Sequence, residues 1–258
     1  MTVAPSPQEI YQRAEAEGER RLSMPLIEKV STAFIAGVTV VFGIVALGVG
    51  EALVEPQLGR EVGRLAGALG FGIGLVFLVV GRTELFSENL FDPVAVAVRR
   101  KGGGVWGRLL WLWSSVLVLN MVGGAVLLAV MLVEGALPEH SGEVLDRVAE
   151  EIAAKTPLAT FARAVLAGAL VTLLSYLLNA VDSVTSRILL AYMVGVFLAL
   201  GPFDHVVVSG LHLLFGIWHS GAVGYADLWQ NMGLSTLGNV AGGLLLITLT
   251  HTAQVKGS

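Results

Sequence analysis

Two polar interruptions inside apolar sequence hold the residues best suited to chemistry. The first is GRTELFSENLFDP, Gly81 to Pro93, which carries Arg82, Glu84, Ser87, Glu88 and Asp92. The second lies in FLALGPFDHVVVSGLHLLFG, Phe197 to Gly216, where Gly201, Pro202, Asp204 and His205 interrupt an apolar run. Pro202 lacks a backbone donor and breaks a helix ladder, and Gly201 permits the turn. His205 is the histidine at a break; its type titrates near neutral pH, so it can give and recover a proton. An ionisable residue within an apolar span reads first as functional. The alternative is a buried histidine satisfied by a backbone carbonyl. Ser87 can fix the tautomer of His205 or hydrogen-bond a ligand, or it can cap a helix at the break. Asp204 and Glu84 read as braces of the breaks or partners of Arg82. Glu88 is a group able to pair at the wall of a pore.

Other chemistries find little support. His205, His212 and His219 repeat every seven residues, which separates neighbours by about 10 Å along a helix, too far to share one metal. Ser209 follows His205 by four residues, but the glycine that opens a GxSG motif is replaced by Val207. There are no cysteines, hence no disulfide framework and no thiolate site. No Walker motif or HExxH appears. The sequence therefore indicates no enzyme, no metal and no cofactor. The formal net charge is -4, which gives nucleic acid no basic face to bind.

The elements that must position these residues follow from composition. Of 258 residues, 55% are apolar and 14% charged, against roughly 25% charged in soluble domains. Mean hydropathy is +0.77. A hydrocarbon core of about 30 Å needs about 20 apolar residues as helix. The uncharged windows give six spans, at 30–55, 60–98, 104–134, 157–180, 187–218 and 232–254, within an all-α polytopic domain over 26–254. Residues 1–25 form a polar N-terminal segment whose stretch Ser6–Leu22 reads as an amphipathic helix on the membrane or over the domain. It shows no signal-peptide pattern. Residues 255–258 form a short tail.

Lys and Arg set the orientation. With both termini inside, the cytoplasmic side holds Arg13, Arg20, Arg21, Lys29, Arg99, Arg100, Lys101, Arg108, Arg187 and Lys256, and the other side only Arg60, Arg64, Arg147 and Lys155. The run Arg99-Arg100-Lys101 is thus a topology signal, and the acid-rich segment Glu134–Glu151 lies outside.

The interruptions fall in spans two and five. Breaks at corresponding places in two three-span halves point to an inverted 3+3 repeat with a transport site near the midplane, although no residue-level repeat stands out. Broken backbone is unfavourable facing lipid and is tolerated where it lines a cavity. The pairs Gly63/Gly67, Gly70/Gly74 and Gly238/Gly242 read as helix-packing faces.

The stretches GALGFGIGLVFLVVGRTELFSENL, LGPFDHVVVSG and GNVAGGLLLITLTH, in this order and spacing, resemble the formate/nitrite transporter family over roughly residues 25–254. The resemblance implies an aquaporin-like fold, a homopentamer in a bacterial inner (plasma) membrane, and one pore per protomer for small monovalent anions or their conjugate acids. It places the central pore histidine at His205 and its hydroxyl partner at Ser87. Leu85 and Phe86 match the apolar residues beside that hydroxyl. Phe71, Leu75 and Leu198 match apolar constriction positions, and Asn239 the asparagine of GNxxGG. Thr172 stands where many members carry Asn. Ser175 stands where an apolar constriction residue is common. With Asn179 they form one polar stripe, either pore wall or interhelical hydrogen bonding. A lysine ahead of the fourth span falls at Lys155 with one residue inserted, and Thr156 without; the alternative for Lys155 is a solvated loop charge. Glu88 is a further departure, and together these features resemble a divergent branch.

The physical chemistry agrees. Moving a carboxylate into a dry interior costs about 20 kcal/mol in the idealised limit. Protonating a weak acid of pKa about 4 at pH 7 costs only about 4 kcal/mol. An apolar pore therefore favours the neutral acid and needs a proton donor between its constrictions, the part His205 can play. Half-helix N-termini and Lys155 would attract the anion. The rival reading is an aquaporin-like channel for a small neutral solute, although the twin NPA signatures are absent.

Overall fold

The computed structural model describes residues 4–100 and 102–257; Lys101, the last residue of the basic run, lies outside them. The described residues form helices joined by short turns, without a strand. They are α1 (Pro7–Leu22), α2 (Leu26–Leu58), α3 (Arg60–Val80), α4 (Asp92–Arg99), α5 (Gly103–Met131), α6 (Ser141–Ala153), α7 (Pro157–Asn179), α8 (Val184–Leu200), α9 (Val206–His219), α10 (Tyr225–Ala241) and α11 (Leu249–Lys256). A π-helical stretch, Gly242–Thr248, joins α10 to α11. A 3-10 turn, Phe86–Leu90, lies between α3 and α4.

By length and composition, five helical stretches can cross a membrane: α2, α3, α5, α7 and the continuous run Tyr225–Lys256. The apolar helices α8 and α9 are shorter. Helical structure stops at Val80 and again at Leu200, and the two polar interruptions fill the gaps.

Close approach between helices rests on glycine. A Cβ on Gly70 would lie 2.5 Å from the Ala46 carbonyl oxygen, and one on Gly242 would lie 1.9 Å from that of Val165. Any larger residue forces α2 from α3, or the π-helical stretch from α7. The three glycine pairs expected to pack do so: Gly63 and Gly67 also meet α2, Gly74 meets Gly43, and Gly238 meets α7.

α1 starts with a capping box. The Glu9 N–H donates to Ser6 Oγ (3.3 Å), and the Ser6 N–H donates to Glu9 Oε2 (2.6 Å). Such reciprocal capping satisfies two otherwise orphaned donors. Its buried residues Ile10, Tyr11, Ala14, Gly18 and Leu22 recur at helical spacing. They cover α4 and α11, with Tyr11 Oη 3.1 Å from Thr252 Oγ1.

The acid-rich segment Glu134–Glu151, to which sequence alone assigns no element, contains most of α6. Val144, Leu145, Ala149 and Ile152 are its buried stripe, packed against α9 and α2. Composition hid this helix, because its acids occupy the faces between the apolar positions.

Candidate functional site

The two interruptions meet in the interior. The 3-10 turn positions Ser87, and His205 immediately precedes α9. Ser87 Oγ and His205 Nε2 form a short hydrogen bond, and both side chains are buried. His205 Nδ1 is also buried and has no partner among the described residues. The ring is thus held from one nitrogen and free at the other.

Each interruption is held by one asparagine in the same way. Asn120 of α5 accepts from the Phe86 N–H (3.0 Å) and donates to the carbonyls of Ala33 (2.8 Å) and Glu84 (2.9 Å). Asn239 of α10 accepts from the Val206 N–H (3.0 Å) and donates to the carbonyls of Ala164 (2.8 Å) and Asp204 (3.1 Å). A second bond repeats too: the Glu84 N–H donates to the Thr32 carbonyl (3.4 Å), and the Asp204 N–H to that of Arg163 (3.2 Å). Sequence reasoning missed Asn120. The signal was present, since Asn120-Met121-Val122-Gly123-Gly124 parallels Asn239-Val240-Ala241-Gly242-Gly243.

On the side of α6 a cavity of about 720 Å³ approaches the centre. Phe71 and Leu198 stand among its apolar lining, with Lys155, Arg163, Asp204, Ser209 and His212 among the polar lining. Leu75, Leu85 and Phe86 belong to the buried apolar core that also contains Phe71 and Leu198. Lys155 is not a free loop charge: its ammonium pairs with Asp204, whose other oxygen lies 3.4 Å from Arg163 Nε. Burial pulls the Lys155 pKa below its ordinary value, against the opposing pull of Asp204. Asp204 braces its break as expected. Arg163 was overlooked because it sits inside an apolar span.

The polar stripe on α7 makes interhelical hydrogen bonds. Thr172 Oγ1 is 3.5 Å from the Ser87 carbonyl. Ser175 Oγ donates to the Glu88 carbonyl (3.2 Å) and lies 3.2 Å from Asp92 Oδ2, while Asn179 Nδ2 donates to Asp92 Oδ1 (3.0 Å). The stripe therefore ties α7 to the first interruption and to the start of α4.

On the side of α1 a small pocket of about 80 Å³ is lined by Glu17, Arg21, Glu84, Glu88 and Asp92, among others. Here the expected pairing needs correction. Glu84 does not pair with Arg82, whose backbone takes a left-handed turn with φ 52° and whose side chain is exposed. Glu84 pairs instead with Arg20 (2.8 Å) and Arg21 (3.5 Å) from α1. Arg21 also donates to the Glu88 carbonyl (3.1 Å) and lies 3.7 Å from Asp92. Burial alone disfavours the Arg21 charge, but Glu84, Asp92, Glu88 and Glu17 outweigh it and hold its pKa above the ordinary value. α1 is thus latched to the first interruption by a largely covered cation, whose side chain is 12% exposed. Replacing Arg21 by methionine leaves Glu84 and Asp92 short of a counter-charge, at a cost of about 3 kcal/mol. Limited proteolysis should then cut between α1 and α2 faster than in the parent, with Arg21→Lys intermediate.

The family model described as Formate/nitrite transporter matches residues 8–253. The chain belongs to the formate/nitrite transporter family. It is 23% identical over 248 residues to inner membrane protein YfdC of Escherichia coli (strain K12), covering 96% of this chain and 78% of that protein. It is 27% identical over 266 residues to a probable formate transporter of Methanothermobacter thermautotrophicus, covering 95% of each. Its fold matches a solved pentameric formate channel with formate bound, with a TM-score of 0.72 at 18% identity, covering 93% of this chain and 98% of that one. The resemblance read from the break motifs is therefore correct at the level of family, and the chain is a membrane transporter of this family with an all-helical fold.

Proposed function

We propose that this family member conducts small monovalent anions of weak acids, of the formate or nitrite type, and passes them with protonation at His205. The observation that carries the reading is the buried Ser87–His205 pair with His205 Nδ1 left unpartnered. A proton taken up by the ring makes an imidazolium whose Nε2–H donates to Ser87 Oγ and whose Nδ1–H faces the substrate. Passing the Nδ1 proton to the anion leaves a neutral ring with Nε2–H still on Ser87, and Nδ1 is reprotonated for the next passage. The anion is stripped of water between apolar residues, Phe71, Leu75, Leu85, Phe86 and Leu198 acting as constrictions. There it takes a proton and crosses as the neutral acid. Lys155 and Arg163 draw the anion into the larger cavity, Asn239 and Asn120 hold the two interruptions in place, and Thr172 and Ser175 support the turn that carries Ser87. Glu88 lies at the smaller pocket, toward the exit.

The proposed architecture is six crossings as an inverted 3+3 repeat. α3 with α4 and α8 with α9 each make one crossing, and the matched roles of Asn120 and Asn239 support the pairing. Similarity to a pentameric formate channel supports a homopentamer with one pore per protomer. Similarity to the inner membrane protein YfdC supports an inner membrane location, and the Lys and Arg distribution supports cytoplasmic termini. The larger cavity then faces outward.

The test is flux. In liposomes with an inward proton gradient, formate or nitrite uptake should saturate with concentration and rise with the gradient. Absence of flux for both anions, from protein shown to be folded and oligomeric, overturns the reading.

A further inference from the structure

The larger cavity contains a second histidine that proton transfer at His205 does not use. His212 follows His205 by seven residues on α9, nearly on the same helix face and about 10 Å further along the axis. Its side chain is buried but lines the cavity, and its Nδ1 has no partner among the described residues. Ser209 lies on the same stripe and lines the same cavity. Nearby, Lys155 and Arg163 share the single carboxylate of Asp204, which leaves one positive charge in excess. Arg163 Nε and Asp204 Oδ2 also lack hydrogen-bond partners.

A histidine kept only for packing would be an odd choice here. Its neighbours Leu211, Leu213 and Leu214 are apolar, and an unpaired buried nitrogen is a penalty that leucine would avoid. The penalty disappears when a ligand oxygen meets the ring. The ring is a donor, the hydroxyl is a donor, and the local charge is positive, so the ligand that fits is an anion. The cavity is still open at this depth, so water and the two cations share in solvating it.

We infer that His212 and Ser209 form a second binding site, ahead of Phe71 and Leu198, for the oxygens of a small monovalent carboxylate or nitrite. The site deepens the anion-transport reading and rests on it: the anion is held first here, then released past the apolar pair toward His205. The two rings are too far apart for one small anion to bridge, so the stations act in sequence.

The chain has no cysteine, which permits a direct test. Ala199 lines the same cavity outside the proposed site, so Ala199→Cys provides a reporter for an anionic methanethiosulfonate reagent. Formate or nitrite should slow labelling of this reporter in a saturable way. Adding His212→Phe should raise the half-protecting concentration about tenfold, the factor carried by one hydrogen bond to a charged group. Adding His212→Gln should raise it less. Unchanged protection in His212→Phe overturns the site, as does absence of protection in the reporter that keeps His212. If His212→Phe does not elute as the parent oligomer, His212→Gln decides by the same criterion. Flux is measured on the same preparations: its absence with protection retained overturns transport and keeps the site, while flux without protection does the reverse.

Discussion

In the His205→Phe variant, formate or nitrite flux should fall by about a hundredfold or more, the lower range for losing a positioned proton donor. The ring of phenylalanine fills similar space, so the change removes both nitrogens while keeping the apolar bulk. Without a donor at the centre, the anion must either cross charged, at a cost of up to about 20 kcal/mol in the dry limit, or arrive already neutral from solution. At pH 7 the neutral fraction of an acid with pKa about 4 is about one in a thousand. His205→Asn separates chemistry from obstruction, because asparagine is smaller and polar but does not titrate. Protonation at His205 predicts that both variants fail. A blocked passage predicts that His205→Phe fails and His205→Asn conducts. Stopped-flow measurement of internal pH during anion uptake reads both. Flux within about threefold of the parent in either variant would place the proton step elsewhere.

The parts of this site that were legible in the sequence are those where polar residues stand out against apolar surroundings. His205, Asp204 and Ser87 were visible because a proline, two glycines and several charges interrupt runs that otherwise look like spans. The family itself was legible from three motifs in order. What was hidden had the opposite character. Arg21 sits in a segment polar enough to look solvent-facing, yet it inserts against Glu84 and Asp92 because α1 folds over the first interruption. The helix α6 was masked by its own acids. Arg163 was passed over inside an apolar run, and only the fold brings Asp204, distant in sequence, beside it. His212 was weighed only as a metal ligand, and spacing alone does not show that its ring lines a cavity.

Asn120 is the clearest case, and it carries the second large expected effect. Leucine at position 120 or 239 should cost about 3–6 kcal/mol of stability, because each asparagine serves three backbone groups at once. Leucine has the same branching and the same number of side-chain heavy atoms as asparagine, so the change keeps the shape and removes the hydrogen bonding. Around Asn120, the Phe86 N–H and the Glu84 carbonyl lose a partner in a buried turn. Around Asn239, the Val206 N–H and the Asp204 carbonyl do. Each orphaned buried group costs about 1–3 kcal/mol, and the helix carbonyls of Ala33 and Ala164 add a smaller share. The equivalence of the two positions makes the prediction sharper. If the halves share one design, Asn120→Leu and Asn239→Leu should lower the midpoint of thermal unfolding in detergent by similar amounts. Asparagine-to-aspartate changes test the donor side separately: an aspartate can still accept from Phe86 or Val206 but offers nothing to the two carbonyls. A variant that keeps the parent midpoint at position 120 and loses it at 239 would show that only the second interruption depends on its asparagine. The matched geometry would then be a resemblance of shape without shared energetics.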